Sequence, residues 1–308
     1  MLNQPLQDLE AWVIFFSNAE MPILRQTARR LEEARQNIDK ISGRDVAAIV
    51  LQDPLMAVRV LAYIQPLHGK HLRSDITTIA NAVMMLGIEP FFSRLETPIT
   101  IEAALKDEAQ ALLGLLQVIR RVQRASHYAN DWAFLRHDVN IEEVALAALL
   151  HDLAEILLWC FTPKLAIEIR NRQQADKTLR SAAAQEQVLG IRLYDLQLAL
   201  CDAWHLPDLL RTLMDDANAH LPRVQNVTLA VNLARHSTGG WDDAALPDDF
   251  TAIEKLLHIS REMLLNRLDI PPDFIPLYLT KEPKAAQDES LANIQRLAAD
   301  TTSASNDQ

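Results

Sequence analysis

Glycine is scarce in this chain, with 7 residues in 308, and cysteine is scarcer, with two. So little glycine argues against a turn-rich β architecture. Cys160 and Cys201 are too few for a disulfide framework and fit a reducing compartment. Basic residues are outnumbered, 30 against 41 acidic, for a formal net charge of −11. Such a surface repels phosphate backbones, which weighs against nucleic acids and anionic membranes as partners. The opening MLNQPLQDLEAW has no basic region followed by an apolar run, so no signal peptide is expected. The longest apolar runs are interrupted short of the ~20 residues a membrane span needs. There is no Walker-type glycine loop, Gly-x-Gly-x-x-Gly, Cys-x-x-Cys or Gly-x-Ser-x-Gly, and each absence removes an enzyme class. No alternating run is long enough for a strand, and no internal repeat is evident. A soluble, cytoplasmic protein is the expectation.

What is present is helical. Hydrophobic residues make up 49%, with alanine and leucine abundant. Leu6, Leu9, Val13 and Phe16 recur at helical spacing, and Pro22 opens a second helix carrying Ile23, Leu24, Ala28 and Leu31. Ser42 with Asp45 and Asp53 with Pro54 are helix starts. Further helices are expected at 76–86, stopped by Gly87, at 90–96, and along 107–131. Arg120, Arg121 and Arg124 cluster on the last of these as a solvated face, and 132–139 reads as a loop. Later helices fall at 140–161, from Thr162-Pro163, at 179–190, 191–204, 209–214, 224–236, 253–257 and 261–268. The layout expected is an N-terminal helix over 1–21, a helical domain over 22–236, packed C-terminal helices over 237–280, and a polar, largely disordered tail over 281–308.

The stretch NIEEVALAALLHDLAEILLWCF, from Asn140 to Phe161, organises the rest. Asn140 with Glu143 has the form of a capping box. The helix that follows is apolar on most sides, as interior helices are. One adjacent polar pair, His151-Asp152, interrupts it. A buried polar pair must be hydrogen-bonded, paired or metal-bound. The leading reading is a hydrogen-bonded structural pair. His151 and Asp152 are also residual metal-ligand candidates, though two ligands hold a transition metal poorly.

His-Asp in an apolar helix of an all-helical chain has the shape of the HD-type metal phosphohydrolases. Together with LQDPLMAVRVLAYIQ, ITTIANAVMMLGIE, ALAALLHDLAEILL and EQVLGIRLYDLQLALCDAWHLP, in that order, it resembles the HD-related output domain family, HDOD. The resemblance runs from about Pro22 to His236. It implies a compact all-α, HD-like domain, usually a non-hydrolysing relative used in bacterial signalling. It also implies positions for metal ligands that this chain has lost. Gln117, Leu193, Ala217 and Asn218 stand where fuller relatives carry histidines. Ala154-Glu155 replaces a Gly-Lys, and Gln65-Pro66 replaces an Asn-Ser.

The expected function is therefore a non-catalytic regulatory one. It would act by protein or nucleotide binding through a vestigial HD-type cleft, with no catalytic residue and no cofactor. The partners would be signalling proteins or a nucleotide, not nucleic acid or membrane. The alternative is a metal-dependent phosphohydrolase acting on a nucleotide or cyclic dinucleotide. It would use His151 and Asp152 with help from His127, His137 or His220. A third reading, nucleic-acid binding through His68, Lys70, His71, Arg73 and the Arg120–Arg124 cluster, conflicts with the overall charge.

Overall fold

The computed structural model describes residues 2–65, 76–95, 98–176, 178–268 and 270–279. His68, Lys70, His71, Arg73 and the expected tail over 281–308 lie outside the described residues. The chain divides into two compact units, Met1–Ala234 and Arg235–Gln308. Among the described residues every regular element is a helix, apart from one parallel bridge between Ile23 and Thr100.

The first unit opens with α1 (Leu9–Ser17), α2 (Arg25–Gln36), α3 (Gly43–Val50) and α4 (Pro54–Ile64). Next come α5 (Ile79–Leu86), α6 (Ile88–Arg94), α7 (Ile101–Ala104) and the long α8 (Ala109–Leu135). The centre is α9 (Ile141–Leu150) and α10 (Leu153–Phe161), followed by α11 (Pro163–Ala175), α12 (Ser181–Leu189), α13 (Leu193–Ala203) and α14 (Asp208–Met214). The last helix of this unit, α15 (Pro222–His236), runs into the second, which holds α16 (Leu246–Leu257), α17 (Arg261–Arg267) and α18 (Ile275–Leu279).

Several helix starts follow the local chemistry read from the sequence. Ser42 and Asp45 form a reciprocal capping box on α3. Asp53 accepts from the amides of Leu55 and Met56, and Pro54 fills the first helical position. Gly87, at φ 79°, ends α5 in a conformation that disfavours residues with a Cβ. The segment before α2 departs from expectation. The helix begins at Arg25, not Pro22, because the backbone groups of 21–24 are taken from outside. Ile23 bonds Ile99 and Ile101, the Leu24 amide donates to Asp53 Oδ2 at 2.7 Å, and Arg59 donates to the Met21 carbonyl.

The loop expected over 132–139 is also shorter. Helix α8 continues through Leu135 because Trp132 and Ala133 extend its buried stripe. This helix packs against α9, α10 and α11. Gly114 makes the closest approach possible: a Cβ there would lie 2.5 Å from the Trp159 ring, and the Arg170 guanidinium lies over the same ring at 5.0 Å.

In the second unit, Tyr278 meets Phe250 edge-on, and Arg261 lies over the same ring while pairing with Glu254. His236 Nδ1 and Asp249 Oδ2 are 2.5 Å apart. The short α18 was not foreseen from the sequence.

Among the described residues Asp53 is the most deeply placed carboxylate, fully shielded from solvent. Burial pushes its pKa up, against the pull of hydrogen bonds from Leu24, Met56, Thr27 and Leu55. Asp53→Ala removes the α4 cap and orphans the Leu24 amide. A loss of about 2–4 kcal/mol in urea unfolding is expected.

Candidate functional site

The expected single helix over Asn140–Phe161 is two helices. The break falls at Asp152, whose backbone (φ −102°, ψ 28°) leaves the helical region. By length and apolarity Ile141–Phe161 could cross a membrane, but 78% of its 18-residue apolar window is buried inside the protein. An unbroken helix would join the Ala154 amide to the Leu150 carbonyl. Here the side-chain amide of Gln197, on α13, stands between them. Its Oε1 accepts from Ala154 N at 2.9 Å, and its Nε2 donates to Leu150 O at 2.9 Å. Gln197 is buried, and both of its polar ends are matched.

At the amino end, the expected capping box does not form. Asn140 makes no side-chain cap bond. Glu143 instead accepts from Thr77 Oγ1 at 2.6 Å and from Arg223 Nη2 at 2.8 Å. Arg223 also donates to the Asn140 carbonyl, so α15 serves as the anchor that Asn140 does not provide.

At the break Asp152 meets Arg121 of α8, and His151 stands beside it. His151 Nδ1 lies 3.0 Å from Asp152 Oδ1. Asp152 Oδ2 accepts from Arg121 Nε at 3.0 Å and Nη2 at 2.5 Å, and the same Nη2 reaches Glu155 Oε2 at 2.6 Å. Side-chain exposure is 16% for Arg121, 17% for Asp152, 22% for His151 and 26% for Glu155, so the cluster borders solvent without opening to it. Burial by itself would raise the Asp152 pKa. The Arg121 charge, with the hydrogen bond and charge of His151, holds it well below the usual carboxylate range. Burial would likewise lower Arg121, but Glu155 and Asp152 keep it above its ordinary value. With Asp152 ionised and only able to accept, the His151 proton sits on Nδ1.

Arg121 corrects the sequence reading. It does not belong to a solvated face with Arg120 and Arg124. It lies on the stripe Gly114, Val118, Ala125 and Tyr128, at alternating spacings of four and three, and that stripe is buried. That spacing was the available signal, masked by two arginine neighbours. Gln197 and Glu155 had no such signal, since nothing local marks a partner 43 or 34 residues away in sequence.

The other candidates lie elsewhere. His127, His137 and His220 are exposed, as is Gln117. His137 and His205 adopt the left-handed region (φ 55° and 52°), where each ends a helix. Trp204 and Pro207 form the turn between α13 and α14, with the Leu206 amide returning to the Cys201 carbonyl. A cleft of about 530 Å³ between α2 and α6, lined by Leu31, Arg35, Phe91 and Phe92 among others, shares no residue with the His-Asp pair.

These residues do not fit the metal that the HD-type resemblance implies. Both Asp152 oxygens and the inward Glu155 oxygen are engaged, two of the three by a guanidinium. Among the described residues no group of three or more His, Cys, Asp or Glu could hold a metal ion.

Two outcomes follow. Gln197→Leu orphans two buried backbone groups and should cost about 2 kcal/mol in denaturant unfolding. Because the folded Asp152 pKa lies below its unfolded value of about 3.9, its stabilisation is complete above that value and declines as pH falls toward the folded one. The stability gap between wild type and Asp152→Asn should thus be flat above about pH 5 and shrink below about pH 4.

Comparison with known proteins agrees with this architecture. Residues 21–220 match the HDOD domain. No curated protein matches the chain. A crystal structure of the MmoQ response regulator from Methylococcus capsulatus superposes with a TM-score of 0.62 at 16% identity, over 82% of this chain and 98% of that one. A virulence factor from Campylobacter jejuni gives 0.60 at 20% identity, over 89% and 98%. At these identities the likeness is one of fold. The HDOD match spans well over half the chain and includes the α4 start, the broken central helix and the Trp204–Pro207 turn, so this chain belongs to the HDOD domain family.

Proposed function

We propose that this protein is a non-catalytic regulatory component of bacterial signal transduction. It works in the cytoplasm by binding a partner protein through the face that carries the vestigial HD-type cleft. The observation that carries the reading is the Arg121 guanidinium seated on Asp152 and Glu155. A hydrolytic metal needs those oxygens free and needs further donors beside them. The name of the similarly folded MmoQ response regulator supports a signalling role.

Of the two ligand classes expected, a protein is favoured over a nucleotide. One guanidinium faces two carboxylates, and the guanidinium is already spent on them. A phosphate ester approaching that rim meets uncompensated negative charge, and the chain's overall charge of −11 adds to it. No observation favours the metal-dependent phosphohydrolase.

Elemental analysis of protein purified without chelator tests the reading. Sub-stoichiometric Mn, Fe and Zn, with a melting temperature unmoved by EDTA, is the expected result. One equivalent of metal that disappears in His151→Ala would overturn it and restore the hydrolase.

A further inference from the structure

We infer that the Arg121 guanidinium is the resident cation of this site, supplied by the chain at the point where an ion would otherwise have to stand. The inference rests on the non-catalytic reading above and adds a requirement to it: the site must hold a positive charge, and the protein carries that charge covalently.

The geometry supports this in three ways. Asp152 and Glu155 sit three residues apart at the start of α10, so their side chains share one face and their charges repel. The helix N-terminus eases a negative charge there only modestly. Arg121 Nη2 lies 2.5 Å from one carboxylate oxygen and 2.6 Å from the other, which makes it a common point for both. Finally, Arg121 rises from the buried stripe of α8, not from a mobile surface position, so its charge is delivered by a rigid element. Arginine suits the role because its planar fork can serve two carboxylates at once, where lysine offers a single point charge.

It follows that Arg121→Ala leaves a recess with two carboxylates on its wall and room for a small planar cation. The probe is the guanidinium ion. The full chain carrying Arg121→Ala should melt at least about 5 °C below wild type. About 20 mM guanidinium chloride should restore a measurable part of that loss, by binding the folded state, while equal sodium chloride should not. Wild type should show no gain.

Neutralising both carboxylates as well (Arg121→Ala, Asp152→Asn, Glu155→Gln) should recover melting temperature and abolish the guanidinium response. If Arg121→Ala does not fold, folding of this triple variant supports the inference and its failure to fold overturns it. Equal melting of Arg121→Ala and wild type, equal rescue by sodium chloride, or a guanidinium response that survives the triple variant would each overturn it too. Any of these with a metal-free wild type leaves the non-catalytic reading standing. Stoichiometric metal in wild type removes that reading instead.

Discussion

The contact between Arg121 and the carboxylates of Asp152 and Glu155 decides the character of this molecule. An anion sheltered from water needs either a partner charge or a set of donors, since solvation is no longer there to hold it. At Asp152 the need is met by a guanidinium and an imidazole together. The carboxylate stays ionised and committed. A group so engaged is a poor ligand for anything arriving from outside.

Asp53 shows the other solution in the same unit. It is buried more completely, yet its main partners are backbone amides, of Leu24, Leu55 and Met56. Neutral donors offset less of the desolvation than a full charge does, and its pKa moves up where that of Asp152 moves down. One carboxylate ties the entry of α2 to the start of α4. The other ties α8 to the break in the central helix.

That break is itself a supported feature. Gln197 replaces the missing helical hydrogen bond from both ends, and Glu143 with Arg223 fixes the amino end of α9 in place of a local cap. The site is thus assembled from α8, α10 and α13, with α15 holding α9. Sequence-distant partners supply what the local backbone lacks.

Much of the fold was legible because its signals are local. Ser42 with Asp45, Asp53 with Pro54, and Gly87 act on amides within three or four residues, and a buried face repeats at 3.6 residues whatever it packs against. The His151-Asp152 pair stood out for the same reason, as two polar residues in an apolar run. Its partners were not legible. Arg121 had a stripe to identify it but lay among arginines that point outward, and Gln197 had no local mark at all. The sequence determined most of the helices, the all-α class and the family framework, since those depend on neighbours in the chain. Only the tertiary structure decided that the central helix breaks and that its acid meets a guanidinium, because a buried charge finds its partner across space.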